Sequence, residues 1–147
     1  MFVVDTNVLI YAADTSAPEH ARCRGLLDKW RRSSGAWYLT WGVCYEFLRV
    51  VTHPRVFRHP WHVSEARRFL DAVEQSPGFG MLLPTDRHSR VLAEVIDELP
   101  HLAGNVLHDA ETAVLMREHG VRRICTRDND FHRFPFIEPV DPLTDEP

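Results

Sequence analysis

Four acidic residues stand at positions where a chain of this kind can do chemistry. Asp5 follows the apolar run Phe2-Val3-Val4 and precedes Thr6-Asn7. Glu46 lies in an apolar stretch with Cys44, Phe47 and Leu48, Asp109 follows His108 and precedes Ala110, and Asp128 sits in Thr126-Arg127-Asp128-Asn129-Asp130. Carboxylates gathered in one place cannot all ionise without a cation, because each raises the pKa of the next. Magnesium and manganese are hard ions that accept such oxygen ligands. An ion of this type activates water and neutralises the charge developing on a phosphodiester. No cysteine or histidine set with metal-ligand spacing competes with the acids.

Taken singly, three of the acids have ordinary explanations. Asp109 suits the first turn of a helix, where the helix dipole favours a negative charge. Asp128 and Asp130 suit turn chemistry. Glu46 can pair with Arg49 at i+3, although its apolar surroundings suggest a buried carboxylate in need of a partner. Asp5, at the end of an apolar strand, has no evident local duty. What gives the four weight is their joint placement.

The elements that must position them alternate between strand and helix. Residues 1–4 read as a buried strand, and Asn7 to Ala13 as a short helix. Ser16 fits an N-cap with Glu19 completing a capping box for a helix to Arg32. Residues 36–39 form a second strand, and Thr40 caps a helix over 41–51. The segment 53–62 is a loop broken by Pro54 and Pro60. Ser64 caps a helix to Gln75, 79–83 is a third strand, and Thr85 or Asp86 opens a helix whose stripe is Val91, Leu92, Val95, Ile96 and Leu99. Another helix covers 106–119, with Gly120 at its left-handed cap. A strand at 121–125, a turn at 126–134 and a short strand at Phe136-Ile137 follow, and 141–147 reads as a frayed tail.

This order predicts an α/β fold: a mostly parallel sheet of four to five strands with helices on both faces. Ligands in such sheets bind at the carboxyl edge, where the strand ends carrying Asp5 and Asp128 would meet.

Composition narrows the class. The 147 residues suit one domain, read as 1–140 with the tail 141–147, and the 44% hydrophobic and 26% charged fractions are those of an ordinary globule. No apolar run approaches the roughly 18 residues of a membrane span, and no secretory leader is evident. Cys23, Cys44 and Cys125 read as reduced, buried thiols, which fits a cytoplasmic protein. A formal charge of −4 argues against a protein that coats polyanions, but permits a nuclease with its acids pooled in one site.

The ordered set Asp5-Thr6-Asn7, Glu46 in the third helix, His108-Asp109-Ala110 and Thr126-Arg-Asp-Asn-Asp-Phe131 resembles the PIN-domain ribonucleases, and in length the VapC-type toxins of toxin–antitoxin pairs. The resemblance spans nearly the whole chain. It implies a PIN-like three-layer sandwich and an endoribonuclease dependent on Mg²⁺ or Mn²⁺. It further implies a cognate small antitoxin, RNA as substrate and a homodimer. Asp5, Glu46, Asp109 and Asp128 match the family's acidic quartet. Asp130 matches a further, less uniform acid of the family and is taken as supporting, while Asn7, Thr6 and Thr126 match polar positions beside the acids that can orient ligands. Arg55 and Arg58, beside Phe57 and Trp61 in the 53–62 loop, are candidates for RNA contact, with a packed surface loop as the plainer reading.

Two rival functions are weaker. A phosphatase with an aspartyl nucleophile on a similar sheet wants a second acid two residues after the first, where this chain has Asn7. It also wants a late lysine, whereas the only lysine is Lys29. A non-catalytic PIN-like module binding RNA or protein is disfavoured by the complete quartet.

Overall fold

The computed structural model describes residues 1–147. Its centre is β1 (Phe2–Val4), whose side chains alternate between the two faces of the sheet as strand geometry requires. Phe2 and Val4 enter one apolar cluster, while Val3 enters the other. The same alternation places Trp37 and Leu39 of β2 (Trp37–Thr40) in the first cluster and turns Tyr38 towards the second. With β3 (Phe79–Leu82), β4 (Arg123–Cys125) and β5 (Glu138–Val140), the sheet has the order β3-β2-β1-β4-β5. Every pairing is parallel.

Helices cover both faces. α1 (Thr6–Ala13), α2 (His20–Trp30), α3 (Trp41–Val51) and α4 (Val63–Glu74) bury Leu9, Leu27, Phe47 and Leu70 on one side. α5 (His88–Glu98) and α6 (Val106–His119) cover the other with Val95, Ala113 and Met116. Cys23, Cys44 and Cys125 are free and buried, and burial pushes the Cys23 and Cys44 thiols up to about 11 and about 12. No helix is long and apolar enough to cross a membrane.

The layered parallel sheet matches the expectation from sequence, and most departures are at helix starts. α2 begins at His20 without a side-chain cap. Ser16 instead closes a turn on Asp14, its N–H donating to Oδ1 at 2.9 Å. α4 is capped by His62, not Ser64. The His62 ring accepts from the Ser64 N–H at 3.3 Å, and Glu65 accepts from the His62 N–H at 2.8 Å, completing a capping box with an unusual cap residue. α5 starts at His88 without a side-chain cap; the Thr85 hydroxyl donates to Glu118 at 2.6 Å and accepts from the Arg87 N–H at 3.1 Å in the turn before it. Only Val91 and Val95 of the α5 stripe are buried; Leu92 and Ile96 face solvent. The last strand is 138–140, where Pro139 is tolerated because β5 lies at the sheet edge. Segment 141–147 is not loose, since Arg22 donates to the Pro142 carbonyl at 2.9 Å and Glu146 pairs with Arg22 and Lys29.

One close backbone approach sets the spacing of the loops below β2 and β3. A Cβ on Gly78 would stand 2.1 Å from the Gly35 carbonyl oxygen, so only glycine fits without moving main chain. Gly78→Ala is therefore expected to lower stability by about 2–3 kcal/mol, as overpacking does. Urea unfolding measures it, and a loss under about 0.5 kcal/mol would mean that the loops yield freely.

Candidate metal centre

Asp5 ends β1 at the carboxyl edge of the sheet, anchored by its N–H to the Cys125 carbonyl at 3.0 Å. It has a local duty that sequence reading did not assign: its carboxylate caps α1, Oδ1 accepting from the Thr6 N–H at 2.7 Å. Oδ2 accepts from the Asn7 amide at 2.6 Å and from the Thr126 hydroxyl at 2.5 Å. Thr126 in turn accepts from the Asp128 N–H at 2.8 Å and the Asn7 amide at 3.1 Å. The Asn7 side-chain oxygen accepts from the Arg127 N–H at 3.2 Å. Asn7 and Thr126 thus tie the end of β1 to the segment after β4, and fix both carboxylate oxygens of Asp5.

The other acids arrive from three directions. Asp109 lies half-buried in the first turn of α6. Asp128 caps the 3-10 turn over Asn129–Arg133, accepting from the Asp130 N–H at 2.8 Å. One ligand oxygen from each of Asp109, Asp128 and Asp130 lies within 4.8 Å of the others. Asp130, a supporting residue in the sequence reading, thus joins the tightest group. It is steadied by Arg133, whose Nε donates to Oδ1 at 2.7 Å.

Glu46 approaches from α3 but is not the buried carboxylate its apolar neighbours suggested. Its side chain is 49% exposed and pairs with Arg49 at 3.3 Å, the plainer alternative for this residue. It also accepts from the Thr6 hydroxyl at 3.1 Å, which links it to the Asp5 end of the site. Arg55 and Arg58 are exposed in the loop after α3 and form no hydrogen bond or ion pair with the acids.

Asp130 and Glu46 have Arg133 and Arg49 as partners, whereas Asp5, Asp109 and Asp128 form no ion pair. Burial, and then the charges of Asp128 and Glu46, push the Asp5 carboxyl up to about 6 against the hydrogen bonds from Thr126 and Thr6. Burial followed by Asp128, Asp5, Asp130 and Glu46 pushes Asp109 up to about 7. The charges of the other four acids thus bear on Asp109, and those of Asp128 and Glu46 on Asp5. Such a set matches the chemistry of a hard divalent cation, which removes the repulsion and uses only oxygen ligands. It does not match zinc, since no histidine or cysteine joins the group.

Two residues carry weight here to which the sequence pattern assigned no role. Arg127 pairs with Glu19 at 2.8 Å and Asp141 at 3.5 Å, bracing the Asp128 turn against α2 and the tail. Glu118, buried on α6, accepts from Thr85 and His88 and joins α6 to the loop before α5.

Residues 2–137 match the family model described as the PIN domain. The chain is 30% identical over 140 residues to ribonuclease VapC48 of Mycobacterium tuberculosis, covering 95% of this chain and 96% of that protein. It is 33% identical over 134 residues to the VapC ribonuclease Mb2897 of Mycobacterium bovis, covering 91% and 90%. Among solved structures, the fold is similar to FitAcB from Neisseria gonorrhoeae, with TM-score 0.63, 16% identity and 98% and 99% of the chains covered. It is also similar to VapBC2 from Rickettsia felis bound to a promoter DNA fragment, with TM-score 0.62, 15% identity and coverage of 95% and 96%. An acid set at the carboxyl edge of a five-stranded parallel sheet and relatives matched along nearly their full length lead to one assignment: the chain belongs to the PIN-domain family and stands with its VapC ribonucleases.

Proposed function

We propose that this chain is an endoribonuclease that requires Mg²⁺ or Mn²⁺ and serves as the toxin of a VapBC-type pair, acting in the cytoplasm. The observation that carries the reading is the convergence of Asp109, Asp128 and Asp130 within 4.8 Å, beside the buried Asp5. Asp5, Glu46, Asp109 and Asp128 would hold the cation, with Asp130 beside them. A bound cation of this class supplies Lewis-acid stabilisation of a phosphodiester and a more acidic water. The protein's own part is positional: Thr126 and Asn7 hold Asp5 in one orientation, and Thr6 does the same for Glu46.

An aspartyl-nucleophile phosphatase is the poorer reading. Both oxygens of Asp5 already accept hydrogen bonds, and Asn7 occupies the position of the second acid. A non-catalytic module would have no use for acids held at a cost in stability.

The partner side of the proposal is a small cognate antitoxin and a second copy of the chain. Antitoxin binding is supported by the complex named in the VapBC2 structure. Self-association is supported by the exposed aliphatic residues Leu92 and Ile96, one turn apart on α5.

Incubating the metal-free protein with cellular RNA, then adding Mn²⁺, Mg²⁺ or EDTA, tests the activity. Discrete RNA ends are expected only with metal. Cleavage that persists in EDTA, or release of phosphate from a monoester in place of strand scission, would overturn it.

A further inference from the structure

β4 ends at Cys125, and the Thr126 N–H still bonds to the sheet, donating to the Val140 carbonyl at 3.0 Å. Beyond it the chain is held by side chains. The Arg127 N–H donates to the Asn7 side-chain oxygen at 3.2 Å, and the Asp128 N–H to the Thr126 hydroxyl at 2.8 Å. Side chains of successive residues in an extended segment point to opposite sides. Thr126 reaches Asp5, and Asp128 stands with Asp109 and Asp130. Arg127, between them, is turned away from the acids. Its Nη1 donates to Glu19, just before α2, at 2.8 Å, and its Nε faces Asp141, just after β5, at 3.5 Å. Glu19 is the least exposed acid in any arginine pair of the protein, at 18% against 28% for Glu74, the next. Asp141 is itself fixed, its Oδ1 accepting from the Leu143 N–H at 2.9 Å.

We propose that Arg127 is a positioning residue of the metal centre: held by Glu19 and Asp141, it fixes the segment that presents Thr126 and Asp128 to the cation. The proposal rests on the metal-dependent reading above and names what keeps that site in register with α2 and the tail. Two other roles fit the geometry less well. A contact to a substrate phosphate needs a free guanidinium fork, whereas Nη1 and Nε already meet carboxylates. A counter-charge needs the guanidinium among the acids, and Arg127 forms no hydrogen bond or ion pair with any of the five. The distinction has a sign. Removing a positive charge near a cation site tightens cation binding through Coulomb's law alone. Loss of a brace does the reverse, because Asp128 and Thr126 then sample positions that the ion cannot use. Groups that orient metal ligands contribute roughly 10- to 100-fold in affinity, and Arg127, one step further from the ion, is assigned the low end.

The test titrates Mn²⁺ into the metal-free parent, Arg127→Gln, Arg127→Lys, Glu19→Gln and the double variant Arg127→Gln/Glu19→Gln. Free ion is read by electron paramagnetic resonance, with urea unfolding of each protein in EDTA alongside. Arg127→Gln is expected to weaken Mn²⁺ binding about tenfold. Arg127→Lys is expected to weaken it less, since an ammonium keeps the charge but loses the fork that spans two carboxylates. Glu19→Gln is expected to weaken it about threefold, and to add nothing once Arg127 is gone, because the pair acts as one unit. Arg127→Lys and Glu19→Gln decide the case if Arg127→Gln does not fold. Mn²⁺ binding by Arg127→Gln that is unchanged or tighter would overturn the brace. So would a shifted urea midpoint with parent-like Mn²⁺ affinity, which would leave a pair that serves stability only. A raised KM for an oligoribonucleotide with Mn²⁺ affinity unchanged would assign Arg127 to the substrate instead, and additive losses in the double variant would assign Glu19 to long-range charge; either sinks the proposal. If the parent binds no Mn²⁺, the metal reading fails and the brace with it; a parent that binds and variants that match it remove the brace alone.

Discussion

Asp5→Asn is expected to reduce metal-dependent RNA cleavage by more than about 100-fold and to make the metal-free protein more stable. Loss of a residue that merely orients a ligand costs 10- to 100-fold, and Asp5 is proposed as a ligand itself. The stability gain has a separate origin. Raising a carboxyl from 3.8 to about 6 means that the ionised, buried Asp5 costs the fold up to about 3 kcal/mol near neutral pH. An asparagine removes that charge and keeps a side-chain oxygen for the Thr6 N–H, so the α1 cap survives. Its amide must then face Thr126 and Asn7, which now donate to Oδ2. Thr126 already accepts from the Asp128 N–H and the Asn7 amide, so the bonds that Thr126 and Asn7 now donate to Oδ2 are both lost, offsetting about 2 kcal/mol. A net gain of about 1 kcal/mol corresponds to a rise in Tm of roughly 2–4 °C for a chain of this size. Calorimetry of metal-free protein and cleavage assays on the same preparation check both halves. Parent-like cleavage would remove Asp5 from the chemistry. A lower Tm would mean that the cap and its hydrogen bonds outweigh the buried charge.

The features that sequence reading recovered are those dictated by local periodicity. Phe2-Val3-Val4 could only be a strand buried on both faces, and Asp5 had to stand at its carboxyl end. The Thr40 cap of α3, with the Val43 N–H bonded to the Thr40 hydroxyl at 3.2 Å, is set within four residues. The failures are tertiary. Ser64 and His62 both lie within reach of the first turn of α4, and only the reciprocal bond from the His62 N–H to Glu65 decides between them. Glu46 has apolar neighbours in sequence, yet the helix rotates it to the rim, because Phe47 and Cys44 take the inward positions. Asp130 could not be ranked above an ordinary turn acid until the 3-10 turn folded it back beside Asp109. Glu118 gave no signal, since its partners Thr85 and His88 are about thirty residues away in the chain.

The same crowding that singles out the acids should appear as an inverted pH dependence of stability in the metal-free protein. Asp5 and Asp109 titrate in the folded protein at about 6 and about 7, above the 3.8 of a free aspartate. Between about pH 4 and 7 the folded state therefore binds more protons than the unfolded one, and stability falls as pH rises through that window. Glu118 works in the opposite sense. Burial alone would raise its carboxyl, but hydrogen bonds from Thr85 and His88 hold it below the ordinary 4.5, so its contribution is lost only on more acidic titration. Metal-free protein is accordingly expected to melt several degrees lower at pH 7.5 than at pH 5.5. Mn²⁺ should restore the difference at pH 7.5 and do much less at pH 5.5, because its ligands must first release their protons. Asp5→Asn should flatten the profile, leaving the smaller slope contributed by the half-exposed Asp109. Melting curves at the two pH values, with Mn²⁺ or EDTA, separate these cases. A flat profile without metal, or equal stabilisation by Mn²⁺ at both pH values, would show that the acids are not coupled as their placement requires. A profile that inverts only in the presence of EDTA would join cation binding and proton release in one site, the property that lets a folded but strained cluster of acids accept a metal.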